Sequence, residues 1–190
     1  AGGGVDAPRS AEAYRSAVVR AARDGHIELD SVEYIETHGS GVTSEDTVEA
    51  EALSALFTHD DPTTDPQHCL VGTAMNDIGH TGAASGLAGV LKAAMCLHHE
   101  ILPPLRKVSA PLDALTKRAS RLWTPDAPQY WLHDKAAGPR RAGASSMTPG
   151  GGYTHVILEG ASMSASTIAQ PLGQRDEALF VLTGESATSL

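Results

Sequence analysis

Three histidines stand beside glycines where the chain changes direction: His38 before Gly39, His80 after Gly79, and His155 just beyond Gly150-Gly151-Gly152. Side chains at strand ends and helix starts are held rigidly while facing a pocket. A neutral imidazole protonated on Nε2 donates a hydrogen bond to a developing oxyanion. Two such donors meeting at one carbonyl oxygen would suit enolate chemistry on a thioester. The plainer alternative is that each histidine caps an element or sits at the surface. A zinc site has less support, since there is no H-E-x-x-H and no close Cys/His cluster. The triple glycine 150–152 lacks the Lys-Ser/Thr ending of a P-loop and the spacing of a dinucleotide fingerprint, and reads instead as a mobile pocket wall.

The elements that must position these residues follow from pattern. Ser10 to Arg23 has helical spacing with Ser10 as N-cap, and Asp24-Gly25 ends it. Val32 to Glu36 alternates as a strand and runs directly into His38. A second helix spans Thr43 or Ser44, either of which can cap it, to Phe57; Glu45, Asp46 and Glu49 favour its positive end. Residues 59–68 form a polar loop. Cys69 to Gly72 is a short apolar strand. Thr81 to His99 reads as a helix of small residues, poor in isolation and in need of close neighbours. Pro103-Pro104 stops it. Residues 105–142 have no strong period and form an excursion of short elements. Tyr153 to Glu159 is a strand, 161–190 reads as a linker, and Ala178 to Leu182 adds a further strand. Glu36, Asp46, Glu49 and Glu51 read as solvated or helix-terminal groups.

Alternating helices and strands predict an α/β or layered α/β/α domain. Hydrophobic residues make up 41% of the 190, enough for one core, and the 4% of aromatics leaves it to be built mainly from aliphatic side chains and methionine. A net charge of −9 with scattered basic residues argues against nucleic acid. No apolar run is long enough to span a membrane, and no secretory leader opens the chain. Cys69 and Cys96 read as free, buried thiols in a reducing, cytoplasmic compartment.

Three stretches carry a family resemblance. Val32 to Glu49, VEYIETHGSGVTSEDTVE, resembles V-D-Y-V-E-A-H-G-T-G-T-x-x-G-D-x-x-E. Val71 to Gly89, VGTAMNDIGHTGAASGLAG, resembles V-G-S-x-K-x-N-I-G-H-x-x-A-A-x-G-x-A-G. Arg141 to Glu159, RAGASSMTPGGGYTHVILE, resembles R-x-x-V-S-S-F-G-F-G-G-T-N-A-H-V-x-L-E. Together with Pro103-Pro104 they stand in the order found in β-ketoacyl synthases, the condensing enzymes of fatty-acid and polyketide assembly.

The resemblance implies a thiolase-like fold, with residues 1–160 as the C-terminal half of its layered α/β/α/β/α core. It implies His38 and His80 as the two catalytic histidines of decarboxylative condensation between acyl and malonyl thioesters. It implies no cofactor bound by this chain, the substrates riding on the phosphopantetheine of an acyl carrier protein. Further implied partners are the N-terminal half that bears the nucleophilic cysteine, whose motif neither Cys69 nor Cys96 matches, and a second synthase-type domain. The isolated chain is therefore expected to be inactive. His155 falls at a largely structural position.

The sequence also departs from the pattern. Met75 stands at the family lysine, Asp77 at the asparagine and Glu45 at a glycine. Met147 and Thr148 alter the glycine loop, Pro149 replaces the phenylalanine that gates the acyl pocket, and Gly152-Tyr153 replaces Thr-Asn. Met75, Asp77, Pro149, Gly150, Gly151 and Gly152 are thus the expected pocket and gating positions. The departures suit a divergent synthase or a non-condensing, chain-length-factor-like partner domain. The tail from Ala178 resembles the linker that follows synthase domains in modular megasynthases.

Overall fold

The computed structural model describes residues 9–58, 68–106, 108, 110–115, 120–148 and 150–161. Pro149, the expected strand at 178–182, nearly all of the 161–190 linker and most of the 59–68 loop lie outside the described residues.

Helix α1, Ala11–Asp24, is capped as expected, with the Ser10 hydroxyl accepting the Ala13 N–H. Strand β1, Tyr34–Glu36, leads to helix α2, Thr43–Leu56, and strand β2, Cys69–Gly72. A one-turn helix α3, Met75–Ile78, precedes α4, Ser85–His99. Short strands β3 (Ile101–Leu102), β4 (Leu122–Trp123) and β5 (Gln129–Tyr130) follow, then the hairpin β6 (Arg141–Met147) and β7 (Tyr153–Glu159).

The main sheet has the order β4-β2-β1-β6-β7. β1 is its centre, parallel to both β2 and β6, and β7 returns antiparallel beside β6. β3 and β5 form a separate antiparallel pair. One face of the sheet joins Ile35 and Val71 to Tyr14 and Val18 of α1 and Leu53 of α2. The other joins Tyr34, Leu70 and Ala142 to Ala93 and Cys96 of α4 and to Trp131. Helices on both faces bury a parallel strand on both sides, and this gives the expected layered α/β/α unit.

β1 is buried at all three residues, with core on both faces of the sheet. Three expectations change. Glu36 and Glu49, read as solvated or helix-terminal, are both buried. Neither Thr43 nor Ser44 caps α2: Val42 holds the N-cap, and Asp46 reaches back to the Gly41 N–H and the Ser40 hydroxyl. The expected helix from Thr81 becomes α-helical only at Ser85, because Gly79 and Gly82 take positive φ values of 77° and 60° in the approach.

Strand β6 was not apparent in the sequence. Its Ala-Gly-Ala-Ser-Ser run has little strand propensity, but the close packing needs small residues. A Cβ on Gly143 would lie 2.7 Å from His155 Nε2. From the α4 side, a Cβ on Gly86 would lie 3.1 Å from Ser146. The glycines of α4 therefore serve close approach to the sheet, the need inferred from their number.

Candidate active site

The site lies at the C-terminal ends of the parallel strands. Beyond β1, the Thr37 N–H still bonds to the Gly72 carbonyl at 2.7 Å, so the chain leaves the sheet only at His38. The turn is anchored from below by Glu49. Its Oε1 accepts the His38 N–H at 2.9 Å and its Oε2 accepts the Gly39 N–H at 3.0 Å. Gly39 has φ +52°, and a Cβ there would fall 2.5 Å from Thr73 Oγ1, so the turn requires glycine twice over.

His38 is 5% exposed, and its buried Nδ1 has no hydrogen-bond partner. Burial, and then the neighbouring His80, hold its pKa below the ordinary histidine value. The ring is therefore neutral at neutral pH. His80 is exposed, in the glycine turn before α4. Its Nδ1 faces the Gly82 N–H at 3.1 Å. An accepting Nδ1 leaves the proton on Nε2 in the neutral ring. The two ring centroids are 5.4 Å apart and nearly perpendicular, at 88°.

Both rings border a cavity of about 670 Å³ that also meets Ser40, Ser85, Ser146 and Met147. At its edge Arg9 and Glu45 form an ion pair of 2.7 Å. Glu45, the departure from a family glycine, thus has a partner in the residue two positions before α1.

The remaining expected positions lie elsewhere. Met75 and Asp77 are on α3 and are not among the residues lining this cavity. Asp77 approaches Lys92 of α4 at 3.8 Å, and Lys92 Nζ is 3.3 Å from the buried Glu36. A cation thus stands beside Asp77 although Met75 has replaced the family lysine. Gly150, Gly151 and Gly152 also lie off the cavity, in a turn closed by Thr148. The Thr148 hydroxyl accepts the Gly152 N–H at 3.0 Å, and its carbonyl accepts the Gly151 N–H. Thr148 itself lines the cavity. Sequence reasoning missed Arg9, Glu49, Ser85 and Ser146. Glu49 and Ser146 carried a signal, as the closing glutamate of the first motif and the second serine of the third.

His155 contacts Ser145 Oγ through Nδ1 at 2.8 Å, and burial pushes its pKa down to about 4. Cys69 and Cys96 are free and buried, and burial raises both thiols, Cys96 to about 11. Neither is an activated thiolate. Among the described residues no group of three His, Cys, Asp or Glu could hold a metal, and no helix is long and apolar enough to cross a membrane.

The layered α/β/α unit holds its paired histidines beside one cavity, His38 at the end of β1 and His80 in the turn before α4. Among solved structures, a ketosynthase from the bacillaene polyketide synthase of Bacillus amyloliquefaciens matches with a TM-score of 0.72 and 30% identity, over 84% of this chain and 28% of that one. The module 6 ketosynthase of the Bacillus subtilis bacillaene synthase matches with a TM-score of 0.74 and 31% identity, over 85% and 28%. The family model "Beta-ketoacyl synthase, C-terminal domain" matches residues 2–109, and the chain belongs to that family. A phenolphthiocerol/phthiocerol polyketide synthase component of Mycobacterium tuberculosis is 35% identical over 188 residues, 97% of this chain and 11% of the relative. Polyketide synthase PksL of Bacillus subtilis is 36% identical over 134 residues, 70% of this chain and 3% of the relative. The chain therefore corresponds to a small part of large synthases, and to little more than a quarter of either of these ketosynthase chains.

Proposed function

We propose that this chain supplies the histidine half of a polyketide-synthase ketosynthase, which condenses an acyl group with a malonyl thioester. The paired imidazoles carry the proposal. His80 offers an Nε2–H, and His38 stands beside it as a neutral ring at the same cavity. Two neutral donors near one carbonyl oxygen stabilise the enolate left when the malonyl thioester loses carbon dioxide. The nucleophilic cysteine comes from the rest of the ketosynthase. Both substrates arrive on the phosphopantetheine of a carrier protein, and a second synthase-type domain completes the assembly. The polyketide-synthase relatives favour this condensing role over that of a chain-length-factor-like partner.

One face of α4 fits the need for the other half. Leu87, Leu91 and Met95 follow one another at four-residue spacing and are 75%, 63% and 52% exposed. Such a stripe lies along one side of a helix, and an apolar face of this kind marks an interface. His80 stands in the turn that leads into the same helix.

The test uses the complete ketosynthase with acyl- and malonyl-carrier thioesters. His38→Ala or His80→Ala should lower condensation about 10²–10³-fold, the usual loss for one oxyanion donor. Acylation of the cysteine should persist in both. Full turnover in either variant would overturn the proposal.

A further inference from the structure

The His38 imidazole has no side-chain partner on its buried Nδ1. Catalytic histidines are commonly oriented through the second ring nitrogen. Here the ring's place must be set through the backbone, and the backbone is held by Glu49.

Glu49 is in turn held from behind. Its Oε1 accepts the Tyr14 hydroxyl from α1 at 2.7 Å. The buried Ser145 hydroxyl of β6 lies near the Tyr14 phenol and acts to lower its pKa, against the larger effect of burial. Ser145 Oγ meets His155 Nδ1 of β7 at 2.8 Å. Chemistry gives this chain one direction. A carboxylate only accepts, so the tyrosine proton points to Glu49. The phenol oxygen is then free to accept a proton from a neighbour such as Ser145. The chain ends on a carboxylate already receiving the N–H groups of His38 and Gly39. Tyr14, Glu49 and Ser145 are all buried, so water does not offer a substitute partner.

We propose that Tyr14 and Ser145 are positioning residues for His38, acting through Glu49: the Tyr14 hydroxyl of α1 holds the Glu49 carboxylate that fixes the turn on which the imidazole stands, and the buried Ser145 stands behind Tyr14. The proposal rests on the condensing role proposed above. The chain also gives a function to two residues outside the cavity, neither of which touches substrate.

The experiment measures condensation and cysteine acylation separately in the complete ketosynthase. Tyr14→Phe removes one hydroxyl and keeps the ring. It should lower the condensation kcat about tenfold, the scale found when a supporting contact lets a reacting group drift. The KM for the malonyl thioester and the acylation rate should be unchanged. Ser145→Ala should give a smaller loss of kcat, and Ser145→Thr, which keeps the hydroxyl, should restore it. If Tyr14→Phe fails to fold, the Ser145 pair decides alone. Unchanged kcat with reduced unfolding stability would make the chain merely structural and overturn the inference. His38→Ala, run alongside, separates the two failures: turnover there would sink the condensing role itself.

Discussion

β1 carries a histidine environment at each end, and the two are opposites. At the C-terminal end His38 is buried, its Nδ1 lacks a partner, and its pKa is lowered. At the N-terminal end Glu33, the residue before β1, accepts the Trp131 Nε1–H at 2.7 Å and faces His133 Nδ1 at 2.9 Å. The other nitrogen of His133 faces the Gly138 carbonyl at 2.9 Å. Two acceptors require two N–H groups, so His133 is built as an imidazolium. Burial opposes that charge, but the bonds to Glu33 and Gly138 outweigh it and raise the pKa. The saturated histidine ties the excursion back to the sheet. The unsaturated one leaves its buried Nδ1 without a partner, beside the cavity.

Between the two ends lies Glu36, and disturbing it should have the largest effect on stability. Its carboxyl is fully buried, receives the Tyr34 hydroxyl, and has Lys92 as its cation. Lys92→Met leaves that charge uncompensated, and should cost about 3 kcal/mol in denaturant unfolding of the complete ketosynthase. Adding Glu36→Gln should recover much of the loss. A single-variant cost within experimental error would mean that the end of β1 does not depend on this pair.

The next effect sharpens the His38 end. Gly39→Ala forces a side chain into a positive-φ turn and against Thr73. It should cost about 1–3 kcal/mol and slow condensation, since the Gly39 N–H helps hold the turn to Glu49. Stability and turnover both equal to wild type would show the turn to be looser than its contacts imply.

The smallest effect compares the two histidines by pH. His133 binds its proton more tightly in the folded state, so its contribution is full below about pH 6.5 and is lost as pH rises through the raised value. His38 has the opposite sign. Its lowered pKa means that stability falls as pH drops below about 6.5 toward the folded value. Against wild type, His133→Asn should flatten the alkaline fall in unfolding stability, and His38→Asn should flatten the acid one. Parallel profiles in the two variants would erase the contrast.

Much of the fold is legible in the sequence where local chemistry is strong. Helix α1 shows itself by period and by Ser10, β2 and β7 by apolar residues, and the crowding around α4 by its alanines and glycines. The turn bearing His38 and the one bearing His80 are legible as glycine-flanked motifs in family order. Strand β6 is hidden because small residues advertise no structure, and only its neighbours on both sides explain them. Met75 and Asp77 are expected at the pocket because they interrupt a motif, and the glycines 150–152 because they read as a mobile wall, yet none of them lines the cavity beside the two histidines. A motif fixes order along the chain, not which way a side chain turns.

Residue order alone settles most of the main elements, the α/β class, the family and which two histidines stand in its motifs, because these depend on period, propensity and motif spacing. Folding in three dimensions is what brings His38 and His80 to 5.4 Å between ring centroids. It also selects which acids are buried. An acidic residue in a sequence reads as solvated, since burying a lone carboxylate is costly. At Glu49 and Glu36 that cost is offset in part by donors that converge on them, from other elements at Glu49 and from β1 and α4 at Glu36. Tyr14, 35 residues away, and the His38 and Gly39 N–H groups meet at Glu49, while Tyr34 and Lys92 meet at Glu36. That convergence exists only once the sheet and its two helical layers have closed.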